Sequence, residues 1–539
     1  TEWKNRISVG LLASNVSFSG PIVKNKCSFS VSGRRSYIDK LILPFVNKYL
    51  DKSVSVYKNG YFFQDYNAKI IMKPNAKNKI ELSGYWGDDE FMLSNQKNNL
   101  TNNITWGNRA LSLKWRNTIN DQLSESHSLS YSYNDFHYTV RQEMYYMNMS
   151  TKIRTLRFKS DWLYVQDGNP LRFGVEALNH YFLPNDIDAQ VKEFSLAFGT
   201  NNTLHALENA AYLEYPCQIG TRVSLTSGIR ISEMIQLGPF VQYFKNSFGE
   251  LVDSLSYPAN KDVKVYWIPE PRLIATYTID DNSSVKMSAT YNAQYLHLVP
   301  ILSTALPTDM WLPSMNGVKP QKSLQISGGY YRTTPTRNFS IDAYIKRMYD
   351  VSDAAGTMIN FYNSGNIENV VVQGTGLSFG LELGYEKLEG RFTYGLSYTL
   401  SRSLRRFDAF NNGDIFPAKY DKPHDLSIVA SYELSKRWTV SGLFTYSSGV
   451  NITMPVARYL LQNNIINLYG SKNGYRLPAY HRADISFKYL VSMNSKCKTD
   501  LEISVSNVYN HLNPYYIYYN ISGSIQDYKL SVEMQKVYL

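Results

Sequence analysis

Hydrolytic and metal chemistry is built from histidine, cysteine, serine and carboxylate at particular spacings, and this sequence holds those side chains without the spacings. The eight histidines, His127, His137, His180, His205, His297, His424, His481 and His511, form no HExxH pair and no other metal-ligand pattern, so no metal site is expected. His424-Asp425 could supply the base and its orienting carboxylate in a hydrolase. However, no serine on a strand-to-helix nucleophile elbow accompanies the pair, and a structural role at a loop-to-strand junction is expected instead. Gly328-Gly329 and Gly374-x-Gly376 precede no helix and so cannot cradle a phosphate. Cys27, Cys217 and Cys497 are too few and too far apart for a disulfide framework. The chain is expected to carry no catalytic residues, to use no cofactor and not to be an enzyme.

With catalysis set aside, the elements become the informative level. The 539 residues include 44 Tyr, 24 Phe and 8 Trp and carry a net charge of +11. The basic residues are scattered, without the stripe or block that nucleic-acid binding uses, so no nucleic-acid partner is expected. Mean hydropathy is -0.33, and no apolar run approaches the ~18 residues of a membrane helix. A chain this long would ordinarily break into domains with linkers, yet its texture is uniform from end to end, which implies one repeating architecture over residues 1–539.

That texture has period two. Leu377, Phe379, Leu381, Leu383 and Tyr385 alternate with Ser378, Gly380, Glu382, Gly384 and Glu386. Phe392, Tyr394, Leu396, Tyr398 and Leu400 repeat the pattern after the tight connection Leu388 to Gly390. Strict alternation puts one side chain set on each face of a strand. The same rows appear at Leu324/Ile326/Tyr330, Phe339/Ile341/Ala343/Ile345, Ala483/Ile485/Phe487/Tyr489 and Leu501/Ile503/Val505. These segments run about 11 to 15 residues, longer than the usual soluble strand and enough for a tilted membrane crossing, which needs ~9 to 11. Their polar faces of Ser, Thr, Gly, Glu and Arg suit a hydrated lumen, and Tyr398, Trp438, Tyr446 and Tyr489 fall near strand ends, where an interfacial girdle lies.

Connections alternate in length. Short ones fall near 21–24, 74–77, 118–122, 165–169, 217–219, 279–283, 334–337, 388–390, 434–436 and 491–498. Long ones fall near 38–58, 93–104, 183–204, 234–260, 299–322, 351–375, 404–422, 449–479 and 511–526, with 145–150 the brief exception. Outer-membrane barrels have this asymmetry, short turns facing the periplasm and long loops facing outside. The expected fold is therefore all-β: a large antiparallel transmembrane barrel of about 22 strands, with about 20 of them countable here. Residues 6–20 read as one descending strand, so a preceding ascending strand and the end of the last strand are expected outside the chain.

Several stretches resemble the barrel of TonB-dependent receptors, in particular the branch common in Bacteroidetes. Ser19-Gly20-Pro21 followed by Ser32-Gly33-Arg34-Arg35-Ser36-Tyr37 is similar to that branch's first hairpin. Residues 307–313 (PTDMWLP) with 319–321 (KPQ) resemble its mid-barrel loop. Tyr420-Asp421-Lys422-Pro423-His424-Asp425 with Tyr446-Ser447-Ser448-Gly449 resembles its late-strand pattern, and 506–510 (SNVYN) its penultimate strand ending. The resemblance implies an integral outer-membrane receptor that imports a scarce nutrient (siderophore-iron, vitamin, oligosaccharide or peptide). It also implies an N-terminal plug within the barrel and a TonB complex that pulls on it, with a surface lipoprotein as a further partner. Plug and TonB box would lie upstream of these residues. A passive porin, an outer-membrane hydrolase and an adhesive barrel are the alternatives.

By alternation Arg34, Glu382, Glu386 and Arg391 point into the lumen, where they hydrate the wall or meet a plug, and Leu381 points to lipid. Ligand capture is expected on the long loops, where Trp311, Tyr349, Phe361, Tyr362, Phe407, Phe410, Phe416, Tyr459 and Tyr475 offer flat apolar surface beside Asn and Asp.

Overall fold

The structure, a computed structural model, describes residues 2–42, 44, 57–95, 99–166, 168–192, 194–196, 203–246, 251–300, 310–354, 371–461, 464–493, 497–522 and 529–537. Period-two patterning becomes strand throughout: a 23-stranded antiparallel sheet dominates the described residues. Apart from two short additions, Phe194–Leu196 and Phe416–Pro417, its strands form a meander in which each pairs with the next wall strand in sequence, from Lys4–Val9 to Lys498–Val505. No described helix is long and apolar enough to cross a membrane.

The register fixes the two faces. Ile345 lies opposite Phe379, Leu381 opposite Leu400, and Leu383 opposite Tyr398, so the apolar rows of adjacent strands merge into one outward belt. Leu111, Phe158, Ile229, Leu273, Met287, Ile326 and Ile503 continue that belt, all of them exposed large apolar side chains of a kind that needs lipid as solvent. Serines meet on the other face, Ser112 with Ser130 at 2.8 Å, Ser288 with Ser327 at 2.7 Å, Ser378 with Ser403 and Ser431 with Ser441 at 2.9 Å. Toward the short turns the belt ends in aromatic pairs: Trp438 with Tyr489, ring centroids 4.7 Å apart, and Phe392 with Tyr432 at 6.3 Å. This is the girdle of a membrane interface.

Short turns form where local side chains cap the chain reversal. Asn75 Oδ1 accepts from Lys77 N and Asn78 N, and Asn120 Oδ1 from Gln122 N and Leu123 N. Thr334 and Ser435 cap their own turns in the same way. At Gly390 the turn demands φ +97°, open to glycine and hostile to a β-carbon.

Boundaries differ from expectation at several places. Residues 6–20 are two strands, Lys4–Val9 and Ala13–Val23, paired from Lys4↔Ser19 to Val9↔Ser14, because the chain reverses at 10–12. Pairing also continues through three stretches expected to be long loops. Asn78–Asn95 pairs with Leu100–Thr118, Asn169–Val191 runs 23 residues, and Asn513–Ser522 pairs with Lys529–Val537. The turn expected at 217–219 falls later, since the strand extends to Ile219. At ~3.3 Å per residue the longest strands far exceed what a bilayer crossing needs. Their long-loop ends therefore stand above the membrane, where polar residues interrupt the alternation.

The register yields a direct test. Leu381→Arg places a charge in the lipid belt and is expected to cost roughly 2 to 4 kcal/mol in a reversible folding titration into bilayers, while Ser378→Arg, three positions away on the lumenal face, costs much less. Equal costs would contradict the face assignment.

Candidate functional site

Five strands bring a charged cluster together on the lumenal face. Arg230 stands at its centre: Nη1 donates to Glu176 Oε2 at 2.9 Å, Nη2 lies 3.7 Å from Glu208 and Nε 3.6 Å from Glu270. Arg157 makes a second, two-pronged pair with Glu176. The register explains the convergence, since Tyr212↔Arg230 and Arg230↔Glu270 are direct partners and Glu176 and Glu208 occupy same-face positions nearby. Glu176 and Glu270 are buried, so each needs the cations and donors around it. Closer to the short turns Arg172 and Arg272 flank Glu214 at 3.6 and 3.8 Å, Lys159 pairs with Asp161 at 2.9 Å, and a cleft of about 610 Å³ opens between them.

A loop folds onto this cluster. Ser232 Oγ donates to Glu270 at 2.6 Å and shares a 2.7 Å hydrogen bond with the hydroxyl of Tyr295. From Tyr295 the chain enters the hairpin Leu296–Val299 with Met310–Pro313. Val299, Met310, Leu312, Met315 and Val318 are buried against Phe182, Ala206, Met234 and Ile268, which the alternation places on the lumenal wall. Polar clamps hold the docked segment: Gln236 Oε1 accepts from Asn316 N at 2.7 Å, and the Tyr266 hydroxyl donates to the Met315 carbonyl at 3.0 Å. Burial pushes the Tyr295 pKa up to about 12, keeping its hydroxyl a donor. Residues 295–300 and 310–318 therefore occupy the mouth of the barrel rather than extending away from it.

A second loop assembly hangs on Asp421, in the YDKPHD stretch. Its buried carboxylate receives Arg476 at 2.5 Å, Ser403 N at 2.6 Å and Arg402 at 3.4 Å. Beside it Lys472 bridges Asp353 at 2.6 Å and the Phe410 ring at 3.9 Å.

The expected ligand residues separate. Trp311, Tyr349 and Tyr475 are partly exposed, and Tyr459 lies on strand Pro455–Leu461. Phe407 and Phe416 are 2% and 5% exposed and pack on each other and on Phe410, which corrects their assignment as open surface: an apolar cluster takes them first. Phe361 and Tyr362 lie outside the described residues. Among the expected lumenal residues, Arg34 pairs with Asp65 at 2.8 Å and covers the Phe63 ring. Glu386 accepts from Asn338 at 3.0 Å, and Glu382 lies across from Asp342 on the lumenal face. Arg391 instead sits in the short turn itself, its carbonyl accepting from Glu433 N. The structure does not gather these four into one site. The Arg230 cluster went unread because its members alternate as any lumenal row does, and their convergence is a matter of register. His424 Nδ1 is hydrogen-bonded to the Tyr398 hydroxyl at 2.8 Å, and Ser378 lies mid-strand against Ser403.

Comparison with known proteins agrees with this geometry. A family model described as TonB dependent receptor-like, beta-barrel, matches residues 39–510. The fold is similar to the copper transporter OprC (14% identity, TM-score 0.63, covering 96% of this chain and 75% of that one). It is also similar to the ferric-catecholate import receptor Fiu from K12 E. coli (12%, 0.62, 99% and 80%) and the ferric yersiniabactin uptake receptor FyuA from Yersinia pestis (12%, 0.64, 97% and 76%). No curated protein sequence matches the chain.

The docked loop carries a pH test. His297 is 3% exposed, its Nε2 shares a 2.9 Å hydrogen bond with Ser314 Oγ, and burial lowers its pKa to about 4. A histidine whose pKa falls on docking stabilises the docked state fully above its free value of ~6.5. That stabilisation drains away as pH falls toward 4, by at most roughly 3 kcal/mol. Amide protection factors across 295–300 and 310–318 should therefore drop between pH 7 and pH 5, and His297→Gln should flatten the dependence. Equal protection at both pH values would contradict the buried neutral imidazole.

Proposed function

The chain belongs to the TonB-dependent receptor family through its outer-membrane β-barrel, and from that premise we propose that it captures a scarce nutrient at its extracellular mouth and imports it through the barrel under energy supplied by TonB. The observation that carries this reading is that residues 295–300 and 310–318 are seated on the Arg230 cluster, which gives the mouth a floor of apolar side chains over ordered charge. A sheet this wide encloses more space than its own side chains fill. A plug is the natural occupant, and Arg34, Glu382, Glu386 and the clefted wall around Arg172, Glu214 and Arg272 are the polar contacts on offer to it. Trp311 and Tyr475 give the mouth partly exposed rings for a flat or chelated ligand.

Ferric chelates and copper appear in the names of proteins that share the fold, so metal chelates head the ligand classes to be tried, ahead of oligosaccharides, peptides and vitamins. Calorimetric titration of the full-length protein in detergent with ferric catecholate, ferric yersiniabactin, copper and neutral oligosaccharides should reveal saturable one-site binding to one of them. Trp311→Ala with Tyr475→Ala should weaken it by about tenfold, ~1.4 kcal/mol. Steady ion conductance in planar bilayers with no saturable ligand would favour a passive porin and overturn the proposal.

A further inference from the structure

Outward rows on four neighbouring strands share an ending that neither transport nor plug contact uses. Toward the long-loop side, Ile326 and Leu324 give way to Lys322, and Ile341, Ala343 and Ile345 to Arg347. Leu381, Phe379 and Leu377 give way to Thr375, and Leu396, Tyr398 and Leu400 to Arg402 and then Arg406. Register makes these endings neighbours: Leu324↔Arg347, Arg347↔Leu377, Lys322↔Tyr349 and Thr375↔Arg406. A cleft of about 660 Å³ lies there, lined among others by Tyr291, Lys322, Arg347, Tyr349, Thr375 and Arg406. Alternation puts every one of these positions on the lipid-facing side of the wall, above the apolar belt.

The charges are partly spoken for. Lys322 pairs with Asp350 at 2.8 Å, Arg402 reaches Asp421 at 3.4 Å, and Asp408 adds a carboxylate to the lining. Arg347 lies 5.9 Å from the centre of the Tyr349 ring, and Arg406 Nε donates to the Gly413 carbonyl at 2.9 Å. Among the described residues neither of these two guanidiniums is in a salt bridge, and both are exposed. Two exposed guanidiniums directly above a lipid belt, beside tyrosine rings, suit a phosphate attached to acyl chains. The forks bind phosphate oxygens, the rings lie at the headgroup level, and the chains run down over Leu324, Ile326, Ile345 and Phe379.

We propose that this cleft is a binding site for the phosphorylated headgroup of a lipid of the outer leaflet. The site fastens the barrel wall to its membrane and is separate from the nutrient path, since it opens on the opposite face of the sheet. It depends on the membrane location and not on what the receptor imports.

Native mass spectrometry of the full-length protein in micelles tests it, with phosphatidic acid, phosphatidylcholine or inorganic phosphate as the added probe. The protein should retain one phosphatidic acid, retain phosphatidylcholine at least about tenfold less, and release neither to millimolar inorganic phosphate. Arg347→Gln with Arg406→Gln should lose the phosphatidic acid adduct by about tenfold. Lys286→Gln with Lys346→Gln, which alternation places on the lumenal face, should keep it. Heat-modifiable gel migration reports whether each variant is folded, and the comparison of lipids on the unmodified protein stands without any variant. Equal retention of the two lipids, retention unchanged in the Arg347/Arg406 variant, or displacement by inorganic phosphate alone would each overturn the proposal, the last by pointing to a free-phosphate site.

Discussion

Backbone hydrogen bonding is the constraint on which everything else here depends. Within a bilayer no water is available to an unpaired N–H or C=O, so a wall made of strands must pair each strand with its neighbour along the whole crossing. The register from Lys4↔Ser19 through Ile485↔Val505 does this with few interruptions. Once pairing is fixed, the pleat leaves each side chain two choices, lipid or lumen. Leu381 and Ser378 are separated by three residues in sequence and by the thickness of the wall in environment. The bulge between Met348 and Val351 falls above the belt, where water can satisfy what the ladder leaves open.

The same constraint creates the inner site. Strands committed to one polar face stack their charged residues in adjacent rows, and at Arg157, Glu176, Glu208, Arg230 and Glu270 the rows converge on a cluster held by mutual neutralisation. Such a cluster needs a dry, ordered neighbour on its open side. Tyr295 supplies one through Ser232, and the apolar residues that follow it find a second core on the upper lumenal wall at Phe182, Met234 and Ile268. Charge below and apolar packing above hold the segment in the mouth, which is why a long loop turns inward.

How much of this could be read from the sequence follows from the range of each interaction. Alternation is local, so the rows at 377–385 and 392–400, the lipid direction of Leu381 and the short turns capped by Asn75, Asn120 and Ser435 were legible. Strand ends above the membrane were not, because alternation fades there while pairing continues to Asn95 and Val191. Resemblance pointed to 307–313 and 420–425 as characteristic stretches, and Met310, Leu312 and Asp421 prove to be buried anchors of their loops. The contact of Ser232 with Tyr295 spans 63 residues and carries no periodic trace. Phe407 and Phe416 looked like ligand surface because a loop aromatic reads the same whether it faces water or another ring.

The proposed energised import by a receptor with an occupied mouth is tested most directly by uptake of a bound, labelled ligand by cells producing the full-length protein, with and without a protonophore. Accumulation above the external concentration should collapse when the proton-motive force is removed, while surface binding persists. Uptake that continues unchanged in the presence of the protonophore and only equilibrates with the medium would contradict it.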